Sequence, residues 1–156
     1  AGHLCRKKWY DAEESNRKAT ESGVHSVPPS WIHARVVLMG HGTHHPSNAF
    51  YAALMFQLQL KDPNIFVGTV EGYPEVELIK DLVLQKKIKK AYLMPFMSVA
   101  GDHAKNDMAG EEEDSWKSIL SKAGIQCVPI LKGTAEYESF IDIWVSHIKG
   151  PLSHFE

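Results

Sequence analysis

Three side chains in this sequence are of the types that hold and hand over a divalent metal ion: His41, Glu71 and His103. Neutral imidazole nitrogen and carboxylate oxygen together suit Co, Ni, Zn or Fe(II), and three protein ligands leave coordination positions open. An open site exchanges a ligand or does chemistry, whereas a structural staple is closed. His41 stands between two glycines, Gly40 and Gly42, directly after an apolar run. The glycines leave room for something large to approach the backbone, which makes both candidates for contact with a bound substrate. Each ligand candidate also has a plainer reading. His41 serves equally well as a capping or core-edge histidine, Glu71 as a carboxylate stabilised by a helix dipole, and His103 as the donor of a loop-ordering hydrogen bond. Nine histidines among 156 residues, three of them at positions 41, 44 and 45, add weight to the metal reading.

Whether the three residues can meet depends on the elements that carry them. Continuous apolar runs predict strands over residues 34–39, 65–70, 91 to 95 or 96, and 125–130. Between them lie helical patterns. Ser47 or Asn48 can cap a helix with Ala49, Ala53, Phe56 and Leu60 on one face. Pro74 suits the first position of a second helix, whose inner stripe is Val76, Ile79 and Val83. A third helix spans residues 115–123, and a last one carries Phe140, Ile143, Trp144 and Ile148 before Gly150-Pro151 ends it. The connection over residues 97–113 is long for a compact domain, and loops of that length are usually functional.

Strands that alternate with helices and are apolar throughout describe an α/β fold, here a four-stranded parallel sheet covered by helices on both faces. Right-handed crossovers place every strand-to-helix loop on one edge of such a sheet, so His41, Glu71 and the loop holding His103 become neighbours. Residues 34–150 form this domain. Residues 1–33, a weakly amphipathic helical pattern followed by a Gly- and Pro-containing linker, have no clear role in it.

Composition narrows the functional classes. A net charge of -2 gives no electrostatic footprint for nucleic acid. No apolar stretch approaches the length of about 20 residues that spans a bilayer, so no membrane partner is expected. Cys5 and Cys127 are far apart, and Cys127 lies inside an apolar run, which fits free thiols in a reducing, cytoplasmic compartment.

The segments Leu38-Met39-Gly40-His41-Gly42-Thr43, His45-Pro46 with Asn48-Ala49, Met94-Pro95-Phe96-Met97, Val99-Ala100-Gly101-Asp102-His103-Ala104 and Asn106-Asp107-Met108-Ala109-Gly110, then Asp114-Ser115-Trp116, resemble the anaerobic cobalt chelatases of cobalamin synthesis, the CbiK type. The resemblance covers residues 34–150 and corresponds to the carboxyl-terminal half of such enzymes. It implies a chelatase-like half domain that inserts Co(II) into the tetrapyrrole sirohydrochlorin without ATP. Co(II) is then the substrate metal, with no organic cofactor. It implies His41, Glu71 and His103 as metal ligands and catalytic residues. Tyr73, Phe96 and Met97, at the loop ends, can pack on the macrocycle face, with core packing the plainer reading of Phe96. Two walls are needed around so broad a substrate, hence a homo-oligomer or an amino-terminal half supplied elsewhere. Iron or nickel insertion into the same ring, and a metal or haem carrier without insertion activity, are the alternatives.

Overall fold

The computed structural model describes residues 35–152, so the segment expected at residues 1–33 lies outside the described residues. Strands β1 (Val36–Gly42), β2 (Ile65–Glu71), β3 (Lys90–Pro95) and β4 (Gln126–Pro129) form one sheet in the order β2-β1-β3-β4, every neighbouring pair parallel. Helices α1 (Ala49–Lys61), α2 (Val76–Gln85) and α3 (Trp116–Lys122) connect them, and α4 (Glu138–Leu152) follows β4. The expected α/β class and four-stranded parallel sheet are observed.

From β1 the chain steps outward to β2, then crosses back to β3 and on to β4. Right-handed crossovers therefore put α1 on one face and α2 with α3 on the other. Burial follows that division. Val37, Met39, Ala91 and Leu93 are fully buried in one cluster with Ile79, Val83, Trp116 and Leu120. Each of the larger aliphatic side chains among them contributes about 1.5–3 kcal/mol by leaving water. Gly68, in register with Met39, belongs to the same face, where a Cβ would stand 2.8 Å from Ile79 and Trp116. The alternate positions Val36, Leu38, Tyr92 and Met94 are only half-buried. The sheet was expected to be covered on both faces; among the described residues one face is closed and the other is partly open.

Helix α1 corrects a second expectation. Ala49, Ala53, Phe56 and Leu60 do share a face, but all four are exposed, Phe56 at 62% and Leu60 at 68%. The half-buried flank consists of Tyr51, Ala52, Leu54, Met55, Leu58 and Gln59. The sequence Ala-Phe-Tyr-Ala-Ala-Leu-Met-Phe-Gln-Leu is apolar nearly all round, so periodicity cannot tell its inner face from its outer one.

Smaller differences lie at the ends of elements. β1 runs on to Gly42, and β2 to Glu71, because Gly42 takes a positive φ of 81° that keeps its backbone paired with Glu71. Pro74 is not the first residue of α2. Glu75 holds the cap position, and the Pro74 carbonyl accepts the Thr69 N–H at 2.8 Å. α4 continues through Gly150 and Pro151, since a proline near an exposed helix end forfeits little backbone bonding. The stripe on α2 stands as expected, and α3 begins one residue later than expected because Ser115 is its cap.

Candidate metal centre

In an open parallel sheet, ligands bind beyond the carboxyl ends of the strands where the strand order reverses. Here that point lies between β1 and β3, whose chains leave in opposite directions. His41 is the penultimate residue of β1, and His103 lies on the connection after β3. The structure brings their rings together, centroids 4.7 Å apart and planes at 89°.

The hydrogen bonds decide which nitrogen each ring offers. His41 Nδ1 is 3.0 Å from the Gly42 carbonyl oxygen, which can only accept, so Nδ1 carries the proton. His103 Nδ1 is 2.5 Å from Asp107 Oδ2, and a carboxylate likewise accepts. In neutral imidazole the lone pair is then on Nε2 in both rings. A carboxylate behind a metal-binding imidazole orients the ring and raises its basicity. An ion about 2.1 Å from an imidazole nitrogen stands about 3.2 Å from that ring's centroid. Two cis ligands to one ion therefore have centroids about 4.5–5.2 Å apart, and the observed separation falls in that range.

Backbone geometry makes this placement possible. His103 opens a single π-helical turn, His103–Met108, anchored underneath by buried Ala104 and Met108. Turns of this kind recur at functional sites, and this one brings residues 103 and 107 onto one side. At the start of the connection the Met97 carbonyl accepts from Thr134 N at 2.8 Å and from Thr134 Oγ1 at 3.1 Å. At its far end Ser115 Oγ donates to the Gly110 carbonyl at 2.7 Å while accepting the Ser118 N–H. Asp107 was not among the sequence candidates. The visible signal for it was the His-x-x-x-Asp spacing, which becomes a hydrogen-bonding pair only once that turn is helical.

Glu71 reaches the same sheet edge, paired in register with Gly42, and is half-buried. It does not complete a three-ligand cluster: among the described residues no group of three or more His, Cys, Asp and Glu side chains gathers at metal-holding distance. The structure thus offers a two-imidazole pair with a carboxylate nearby. His44 is exposed, and His45 is engaged elsewhere, its Nδ1 accepting the Ser47 N–H at 3.1 Å at the start of the turn Pro46–Asn48.

Of the substrate-contact candidates, Tyr73, two residues beyond β2, is 59% exposed. Phe96 and Met97 are half-buried; Met97 packs on the core, and the Phe96 N–H donates to the Met39 carbonyl at 2.7 Å. Gly40 has a packing reason to be glycine, because a Cβ there would lie 2.2 Å from the Tyr51 ring. Gly42 has a backbone reason: a Cβ would fall 1.8 Å from the Glu71 carbonyl oxygen. A cleft of about 250 Å³ is lined by Thr69, Glu75, Glu77, Asp107, Asp114 and Trp116, and neither histidine lines it. Asp107, the partner of His103, is one of its lining carboxylates.

A sirohydrochlorin cobaltochelatase of Nitratidesulfovibrio vulgaris, CbiKC, is 45% identical over 118 residues, which are 76% of this chain and 42% of that protein. The sirohydrochlorin cobaltochelatase of Salmonella typhimurium is 40% identical over 119 residues, 76% of this chain and 45% of that protein. The chain thus spans less than half the length of the curated relatives it matches. Among solved structures, the sirohydrochlorin chelatase SirB of Bacillus subtilis subspecies spizizenii in complex with cobalt aligns with a TM-score of 0.45 and 14% identity, covering 60% of this chain and 41% of that one. The sequence profile of the cobalt chelatase (CbiK) family matches residues 5–152, taking in most of the leading segment as well as the α/β domain, and the chain belongs to that family.

Proposed function

We propose that this chain carries the metal-binding and proton-accepting half of a chelatase that inserts Co(II) into sirohydrochlorin without ATP, as a step of cobalamin synthesis. The observation that carries the reading is the facing pair His41 and His103, each with Nδ1 committed to an oxygen and Nε2 left with its lone pair. The names of the 45% and 40% identical relatives support the substrate.

Insertion exchanges two pyrrole N–H protons for one divalent ion, so the site must release a cation and take up two protons. Nε2 of each imidazole can do both in turn, holding Co(II) first and accepting a proton as the metal–nitrogen bond breaks. Asp107 stabilises the imidazolium left on His103. Glu71, within reach of the same edge, takes part as third ligand or further proton acceptor. Two protein ligands bind an ion loosely enough to pass it on. Tyr73, Phe96 and Met97 provide apolar surface for the macrocycle face. No organic cofactor has a part in this scheme, and a reducing cytoplasmic setting suits the free thiol of Cys127.

A second wall for the tetrapyrrole comes from another copy of the chain or from a separate amino-terminal half. The exposed apolar faces of α1 and α4, including Phe50, Phe56, Leu60 and Ile148, support such a covering partner. Imidazole and carboxylate do not discriminate cobalt from nickel or iron, so metal preference is set by assay. The test is anaerobic incubation with sirohydrochlorin and Co(II), following the absorbance change, with Fe(II) and Ni(II) in parallel. His41→Ala and His103→Ala should each abolish insertion, while His44→Ala should change it less than about twofold. A chain that binds the ring and metal but never joins them is a carrier, and that outcome refutes the enzyme reading.

A further inference from the structure

We infer that Asn48 is a positioning residue that sets the distance between the His41 loop and the Tyr73 wall. The inference rests on the proposed reading of the site and deepens it. Asn48 occupies the cap position of α1 but makes no side-chain cap bond, and it is 9% exposed. Its amide is spent instead on two other segments. Oδ1 accepts the Thr43 N–H at 2.9 Å, two residues beyond His41, and Nδ2 donates to the Tyr73 carbonyl at 2.5 Å, two residues beyond Glu71. One short side chain thus bridges the ends of β1 and β2 at the ligand edge of the sheet.

The surroundings leave little alternative. The turn Pro46–Asn48 is closed by the Asn48 N–H donating to the His45 carbonyl at 2.9 Å, so the backbone of Asn48 is held independently of its side chain. Gly72 has a φ of 83°, and a Cβ there would lie 2.8 Å from both Asn48 Nδ2 and the Thr43 carbonyl oxygen. The three segments are therefore packed backbone against amide. Tyr73 is mostly exposed, so no core packing fixes its ring. Its carbonyl is the attachment point, and Asn48 is what it attaches to. An apolar residue at position 48 would leave a donor and an acceptor without partners.

Asn48→Asp separates the two bonds, because it is nearly isosteric, keeps the acceptor for Thr43 and loses the donor to Tyr73. Asn48→Ala removes both. The KM for sirohydrochlorin should rise about tenfold in Asn48→Asp with kcat and the KM for Co(II) little changed. In a Tyr73→Ala background the same substitution should raise it less than about twofold, since the two residues act as a unit. An equal factor in both backgrounds, or a loss confined to thermal stability, overturns the inference. Wild-type chain without insertion activity, both by itself and with an amino-terminal half supplied, would refute the proposed function separately. The inference is then read from NMR of the Tyr73 ring: Asn48→Asp should increase its mobility while the Thr43 amide stays protected from exchange, and an unchanged ring overturns it.

Discussion

Replacing Asp107 by Asn tests the chemistry of the site with the least disturbance to its shape. The His103 and Asp107 side chains are 39% and 45% exposed, so their hydrogen bond is screened by solvent and contributes on the order of 0–1 kcal/mol to stability. The melting temperature of Asp107→Asn should accordingly stay within about 4 °C of wild type. Catalysis responds differently. The amide oxygen of Asn still accepts from Nδ1, so the tautomer survives, but the bond is no longer charge-assisted. Such bonds are roughly twice as strong as neutral ones, which makes the loss about 1 kcal/mol where His103 becomes cationic. That corresponds to about a fivefold fall in kcat/KM. Asp107→Ala leaves Nδ1–H without its acceptor, and the loss should reach about 10- to 100-fold. Steady-state insertion at varied Co(II), together with visible Co(II) spectra in the absence of tetrapyrrole, separates affinity from turnover. If Asp107→Ala left both unchanged, the carboxylate would be an ornament of the loop and the assignment of Nε2 as the working nitrogen would fail.

Gly42→Ala should destabilise the domain by about 2 kcal/mol or more, because the new Cβ combines a left-handed φ with a 1.8 Å approach to the Glu71 carbonyl oxygen; denaturant titration reads it. Burial pushes the Cys127 thiol above its ordinary value of 9.0, only partly offset by Ser121 and Lys117. A raised thiol value means that the folded state resists losing this proton, so stability is full below pH 9 and declines as pH rises through the folded value, a decline that Cys127→Ala should reduce in a pH series of unfolding midpoints. Phe56→Glu combined with Leu60→Lys should lower the sedimentation mass and the insertion rate together if a second copy covers α1; a wild-type monomer with full activity would exclude that arrangement.

The strands were legible because each is a continuous apolar run bounded by Gly, Pro or charged residues, and their burial in a parallel sheet requires that pattern. His41 and His103 were placed at one edge by the crossover rule alone. What escaped was whatever depends on neighbours distant in sequence. The inner face of α1 is ambiguous in a helix apolar all round, and strand order follows from packing that no local pattern encodes. Asn48 reads as a helix cap until the Tyr73 carbonyl arrives from 25 residues away. Asp107 becomes a partner of His103 only through a turn wider than an α-helix. Glu71, correctly placed at the edge by its strand, stops short of the three-ligand cluster because register fixes its backbone and leaves its side chain's contacts undetermined.

The connection between β3 and α3 is tied at its start by Thr134 and closed at its end by Ser115, and it holds both His103 and the carboxylate behind it. It is therefore a clamped insert and not a free loop. Buried Ala104 and Met108 tie its middle into the same core that holds the sheet, so a change in the packing beneath the turn is felt at His103 as directly as a change in the metal site itself.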